Sequence, residues 1–184
     1  DRLGCPEATK IWAMFETPLA VLNAGAIAAA ASVKEGRRLA CFVLGTNDLA
    51  KETRARFVTG RTTMLPWLTT AVAAGRAYGL DVIDGVYNNL SDAEGFTAEC
   101  EQGRDLGMDG KTLIHPNQLA TANEVFSPST AEIEQARKII AAFALPENAS
   151  KGVISLDGKM VERLHAEMAE RVVAIADAIA ATAG

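Results

Sequence analysis

Aromatic side chains are scarce, making up 5% of the 184 residues, so a core has to be assembled from Ala, Val, Leu and Ile. Basic residues are not in excess either. Eighteen Lys and Arg face 23 Asp and Glu, for a formal charge of -5 and a pI near 5.1. Binding to a phosphate backbone draws on counterion release by clustered cations, so nucleic acid is excluded as a partner. Cysteine is rare and odd in number. Cys5, Cys41 and Cys100 form neither a metal-ligand spacing nor a closed disulfide set, and reduced thiols in a cytoplasmic protein are expected. Long apolar runs are missing too. The longest, Leu19 to Ala31, is broken by Asn23 and falls short of the roughly 20 residues that a membrane span needs. No basic stretch followed by an apolar run opens the chain, so no secretory signal is read.

What is present is globular in composition, 49% hydrophobic and 22% charged. Short apolar runs recur along it. Ile11–Phe15, Leu39–Leu44, Val82–Tyr87 and Lys111–Ile114 read as buried strands. Between them, Pro18–Ser32, Thr63–Tyr78 and Asp92–Leu106 have helical spacing, the last opening on a cap-like acid. Non-alternating strands that alternate with helices indicate βαβ units and a parallel sheet, hence an α/β fold. Further helices are expected at Asn117–Val125, at Thr130–Phe143 after a Ser-Pro-Ser start signal, and at about Glu162–Ala181, with Pro146–Gly152 as a linker. Four βα units suit either a small open sheet or half of a (β/α)8 barrel, which typically takes about 250 residues. Periodicity does not choose between them.

Two acids fall at consecutive strand ends. Glu16 closes the first run, and Asp48 follows the second through Gly45-Thr46-Asn47. The C-terminal ends of parallel strands are where such folds assemble sites. Paired carboxylates there suit a hard divalent cation, because Mg²⁺ takes one or two protein carboxylates and leaves positions for water and substrate. The competing reading is that each acid caps the helix that follows it.

Several motifs come in a fixed order: Phe15-Glu16-Thr17-Pro18, Gly45-Thr46-Asn47-Asp48-Leu49, Asp84-Gly85-Val86-Tyr87, and Gly110-Lys111-Thr112-Leu113-Ile114-His115-Pro116-Asn117-Gln118. Asn123-Glu124-Val125-Phe126-Ser127-Pro128-Ser129 completes the set. In this order they closely resemble the citrate lyase beta-subunit-like branch of the HpcH/HpaI aldolase/citrate lyase family, over nearly the whole chain. The resemblance implies a (β/α)8 TIM barrel, of which residues 1–145 match the second half (strands five to eight), and residues 146–184 a C-terminal extension. It implies Mg²⁺ held by Glu16 and Asp48, with the backbone amides at Asn47 and Asp48 holding a keto-acid carboxylate. It also implies a CoA thioester substrate such as citryl-CoA or malyl-CoA, and a homo-oligomer (trimer or hexamer) whose tail reaches a neighbouring subunit.

The tail segment Ser155-Leu156-Asp157-Gly158-Lys159-Met160-Val161-Glu162 is similar to one ending in Met-Ile/Val-Asp in the family, where that Asp is an acid/base on the acetyl group. Here Glu162 takes its place, with Asp157 as an alternative and a first-turn acid on the last helix as the competing reading. His115 is expected to orient its loop rather than act as a base, and His165 to lie at the surface or an interface. Arg54, Arg56 and Arg61 are read as a solvated charged face in preference to a CoA-phosphate contact. Asp84 is read as a buried structural acid, and Trp12, Trp67 and Tyr87 as packing residues. An Arg that the family carries on an early strand has no counterpart before Ile11. Since the chain opens on Asp1, an omitted N-terminal half is expected.

The leading functional expectation is an Mg²⁺-dependent carbon–carbon lyase acting on a short 3-hydroxyacyl-CoA to give acetyl-CoA and a keto acid. A malyl-CoA thioesterase and a non-catalytic CoA-ester-binding subunit are the alternatives.

Overall fold

A computed structural model describes residues 4–182 of the chain. It divides into two compact units, the first ending at Phe126 and the second beginning at Ser127.

In the first unit, β1 (Ile11–Phe15), β2 (Leu39–Leu44), β3 (Asp81–Asp84) and β4 (Gly110–Lys111) form one parallel sheet in the order β1-β2-β3-β4. Each strand pairs with its successor in the chain. A doubly wound sheet reverses its strand order at a switch point, and this sheet has no reversal. Successive side chains of a strand point to opposite faces. Register pairs Ala13 with Phe42 and Phe15 with Leu44, and these four join the core beneath the helices. The rings of Phe15 and Phe42 lie 5.3 Å apart. On the other face Trp12 pairs with Cys41 and Met14 with Val43; there Trp12 is 64% and Met14 56% exposed.

With few aromatics available, the helices lie close to the sheet through small residues. The helix α1 (Pro18–Leu22) is followed by α2 (Ala24–Ala29), which buries Ala24 and Ala28. α3 (Thr46–Thr53) follows β2, and α4 (Leu65–Ala77) then buries Leu68, Ala71, Ala74 and Gly75 along one stripe. α5 (Ala93–Asp105) is capped by the Asp92 carboxylate, which accepts from the Gly95 amide, and buries Phe96, Cys100 and Gly103. Phe96 and Cys100 share a smaller core with Ala122 of α6 (Leu119–Phe126).

In the second unit, α7 (Thr130–Ala144) opens on a complete capping box between Ser129 and Glu132. A hairpin of β5 (Val153–Leu156) and β6 (Lys159–Glu162) leads into α8 (Arg163–Thr182). Its turn is Asp157-Gly158, with φ of +52° and +75°, the two left-handed residues that a tight hairpin requires. Phe143, Ile154, Val161 and Ala166 form the core of this unit. The Arg163 guanidinium sits 4.9 Å over the Phe143 ring and donates to the carbonyls of Ala149 and Lys151 at 2.9 and 3.0 Å.

The compact units meet at Phe126/Ser127, and α7 turns its apolar face to the hairpin and α8. Several expected element bounds are corrected. The third and fourth strands stop at Asp84 and Lys111. The helix expected over Pro18–Ser32 breaks at Asn23, and α3 and the hairpin were not anticipated.

Burial raises the thiol pKa of both Cys41 and Cys100 to about 11, with the charges of Asp81 and Asp109 adding to the rise at Cys41. Cys5 is exposed. In the native protein at pH 8, a thiol-reactive disulfide reagent is therefore expected to titrate Cys5 alone of these three, and all three after unfolding. Fast native labelling of Cys41 or Cys100 overturns this packing.

Candidate active site

The C-terminal ends of β1, β2 and β3 come together through close backbone approaches. Gly45 follows β2, and its amide donates to the Phe15 carbonyl at 3.1 Å. A Cβ on Gly45 would stand 2.4 Å from the Glu16 Cβ and 2.5 Å from its carboxylate Oε2. Only a residue without a side chain fits there, so Glu16 lies directly against the entry to α3. At the next strand end, a Cβ on Gly85 would stand 2.5 Å from the Thr46 hydroxyl.

The helix-capping reading fails for Glu16. The hydroxyl of Thr17, not the carboxylate of Glu16, caps α1 by accepting from the Ala20 amide at 3.0 Å. Asp48 lies in the first turn of α3, where the helix dipole favours an anion. Among the described residues, neither carboxylate has a hydrogen-bond or ion-pair partner. No set of three or more His, Cys, Asp and Glu that could hold a metal occurs among them either. Two free oxygen ligands fit a hard cation that completes its shell with water and substrate oxygens. The donor set thus fits Mg²⁺.

Asn47 uses its side chain differently from its backbone. Its Oδ1 accepts from Asn88 Nδ2 at 2.8 Å while its Nδ2 donates to Asn88 Oδ1 at 3.2 Å. Gly45, the N-cap of α3, supplies no side-chain cap, so the first-turn amides of Thr46, Asn47 and Asp48 lack the acceptor that a Ser or Asp cap provides. Such a helix start suits a carboxylate.

Behind the strand ends lies a buried ion cluster. Arg61 Nη1 donates to both oxygens of Asp84 at 2.7 and 2.8 Å, and Lys111 Nζ reaches Asp84 at 3.1 Å and Glu99 at 2.6 Å. Gln102 accepts from Arg61 Nε at 2.7 Å and donates to the Gly60 carbonyl at 2.6 Å. Asp84 is the buried structural acid that the sequence suggests. Arg61 is a correction, since it is 4% exposed and not part of a solvated face. Removing one partner would strand a buried charge, at a cost of about 3–5 kcal/mol.

Gln118 is a further residue whose role the motif concealed. Its buried amide accepts from the Ile114 amide at 3.0 Å and donates to the Tyr87 carbonyl at 3.1 Å, tying the β4 loop to the β3 loop. His115 Nδ1 accepts from the Asn117 amide at 3.2 Å, the loop-orienting role expected of it. Along the loop after β3 runs a groove of about 410 Å³, lined by Phe57, Val58, Tyr87, Asn88 and Gln102 among others.

Glu162 belongs to the second unit. It ends β6 and precedes α8, so it is not a first-turn helix acid, and its amide donates to His165 Nδ1 at 2.9 Å. Asp157, its alternative, is taken up by the hairpin turn.

The model of the HpcH/HpaI aldolase/citrate lyase family matches residues 4–116. The chain belongs to this family. A (3S)-malyl-CoA thioesterase of Cereibacter sphaeroides is 53% identical over 93% of the chain and 58% of its own length. The citrate lyase beta subunit of Haemophilus influenzae is 34% identical over 84% and 52%. The chain thus spans little more than half the length of these relatives. Among solved structures, a citrate lyase of Burkholderia xenovorans aligns at a TM-score of 0.78 with 18% identity, covering 97% of this chain and 56% of that one. CitE of Mycobacterium tuberculosis, solved with magnesium, acetoacetate and coenzyme A, aligns at 0.69 with 24% identity, covering 91% and 62%. Identities this low carry the α/β fold alone. Among the described residues, no helix is long and apolar enough to cross a membrane.

A pH-dependent consequence follows for the β3 loop of this family member. The hydrogen bond from the Tyr87 hydroxyl to Asp92 at 2.6 Å raises the phenol pKa from 10.0 to about 12, with burial assisting, and holds the Asp92 carboxyl below its usual range. Between pH 10 and 12 the unfolded chain gives up the Tyr87 proton while the native state keeps it. The stability this bond contributes is complete below pH 10 and lost as pH rises toward 12. Ultraviolet titration should show a tyrosine ionising near pH 12 that disappears in Tyr87→Phe. Ionisation of every tyrosine near pH 10 contradicts it.

Proposed function

We propose that the protein carrying this chain acts on short 3-hydroxyacyl-CoA thioesters and hydrolyses a substrate of the (3S)-malyl-CoA type. The carrying observation is the pair of unpartnered carboxylates, Glu16 just past the end of β1 and Asp48 in the first turn of the helix that follows β2, whose start has no side-chain cap. Relatives at 53% identity named (3S)-malyl-CoA thioesterase favour hydrolysis over the carbon–carbon cleavage that the motifs first suggested. Cleavage to acetyl-CoA and a keto acid is the second reading, favoured by the citrate lyase beta subunits.

Glu16 and Asp48 would hold Mg²⁺, whose chemistry is Lewis-acid polarisation of a substrate oxygen. The first-turn amides of α3, at Asn47 and Asp48, would hold the free carboxylate of the acyl group and so orient it. In hydrolysis Glu162 would take a proton from the water that adds to the thioester carbonyl and return it to the departing CoA thiolate. In the cleavage reading it would deliver a proton to the acetyl carbon. Its tail extension is offered by a neighbouring subunit in a homo-oligomer, a reading supported by the exposed stripe of Leu164, Met168, Ile175 and Ile179 on α8. The consecutive parallel order of the sheet, with Trp12 and Met14 bare on the face away from the helices, supports an arc of a (β/α)8 barrel whose interior is closed by further strands. The buried thiols Cys41 and Cys100 suit a cytoplasmic location.

Two experiments test this. With malyl-CoA, the full-length protein should release malate and free CoA; glyoxylate with acetyl-CoA instead establishes the lyase. Glu16→Gln and Asp48→Asn should each abolish Mg²⁺ binding in calorimetry, and undiminished affinity in both removes the metal assignment.

Glu162→Gln should lower turnover at least 10²-fold, the usual worth of a positioned proton-transfer group, with Mg²⁺ affinity intact. Mixing inactive Glu162→Gln subunits with inactive Glu16→Gln subunits should restore part of the activity if the tail is shared. A mixture that stays dead excludes sharing.

A further inference from the structure

We propose that Asn88 is a positioning residue, which fixes the first turn of α3 through its two-way amide pair with Asn47 and so sets how tightly the strand-end mouth holds a substrate carboxylate. The inference rests on the reading of that mouth given above and assigns the part of it that the β3 loop plays.

Three observations lead to it. First, α3 is denied an ordinary N-terminal anchor. Glu16 fills the space that a side chain at position 45 would need, so the N-cap must be Gly and no side chain caps the helix. A glycine N-cap brings no side-chain hydrogen bond to the first turn, yet this turn carries Asp48 and the free amides. Second, the compensating contacts come from a single neighbouring loop. Gly85 lets Thr46 pack against the backbone after β3, and Asn88 grips Asn47 with both a donor and an acceptor, at 2.8 and 3.2 Å. Third, Asn88 follows a residue that is itself fixed at two points. The Tyr87 carbonyl accepts from the buried Gln118 amide, and the Tyr87 hydroxyl donates to Asp92. Asn88 therefore reaches across from a rigid base. An exposed amide pair between two loose loops would hold nothing in place, whereas one built on a fixed loop transmits its geometry to α3.

An Asn at both positions suits the pair, because each amide carries a donor and an acceptor on separate atoms and two amides can close a ring of two hydrogen bonds.

A double-mutant cycle in the full-length protein tests the proposal, with malyl-CoA as substrate and amide hydrogen exchange at Leu49, whose N–H bonds the Gly45 carbonyl at 3.0 Å. Asn88→Ala and Asn47→Ala should each raise KM about tenfold with kcat changed less than about threefold, short of the roughly hundredfold that a 1 Å misplacement of reacting groups costs. The double variant should be no worse than the worse single variant, because both remove one interaction. Exchange at Leu49 should quicken alike in all three. Multiplying effects in the double variant, or an Asn88→Ala protein with unchanged KM and unchanged exchange, overturns the proposal. If the full-length protein turns over no CoA ester, the functional reading fails while the exchange measurement still decides the role of Asn88.

Discussion

The contact of Glu16 with Gly45 is the constraint on which the mouth of this sheet depends. Two strand ends lie so close that the acid of one occupies the side-chain space of the other. Position 45 can therefore carry no side chain, and α3 has no cap from its own N-cap residue. The start of the helix is thereby left open to an external anion, and its anchoring passes to the loop after β3. One steric fact thus fixes where the Glu16 carboxylate lies, leaves the start of α3 without a side-chain cap and makes that helix lean on a neighbouring element.

The loop after β3 in turn stands on the charges beneath it. Asp84 accepts from Arg61 and Lys111 and also from the Gly85 amide at 2.8 Å, so the turn that meets Thr46 starts from a fixed carboxylate. Burying charge is costly unless every group is satisfied, and no buried side-chain nitrogen or oxygen among the described residues lacks a partner. The cluster also draws the segment around Arg61 and α5 onto the sheet. An apolar cluster could fill that volume, but it would leave the Gly85 amide without this acceptor.

The two long strands and the acids at their ends were legible in the sequence because unbroken apolar runs and a following carboxylate are local signals. The ordered motifs carried the family. What the sequence hid was mostly relational. Arg61 looks like one of three surface arginines until the fold brings Asp84, 23 positions away, within 2.7 Å. Gln118 sits inside a recognisable motif, yet nothing local says that its amide spans two loops. Asn88 gains meaning only from Asn47, 41 residues earlier. The hairpin is the exception: Asp157-Gly158 is a strong local turn signal, obscured because each flanking strand is only four residues long. The start of the second unit is relational too, since the capping box at Ser129 starts a helix whose partners all lie ahead of it.

The bare face of β1 also has an optical consequence. Of the two tryptophans, Trp67 lies partly buried against the first core, while Trp12 stands 64% exposed on the face of the sheet turned away from the helices. Its indole is therefore bathed in water whenever that face is open and would enter an apolar setting once other chain covers it. The protein carries its own fluorescent gauge of whether that face of the sheet is covered, with the partly buried Trp67 as its background.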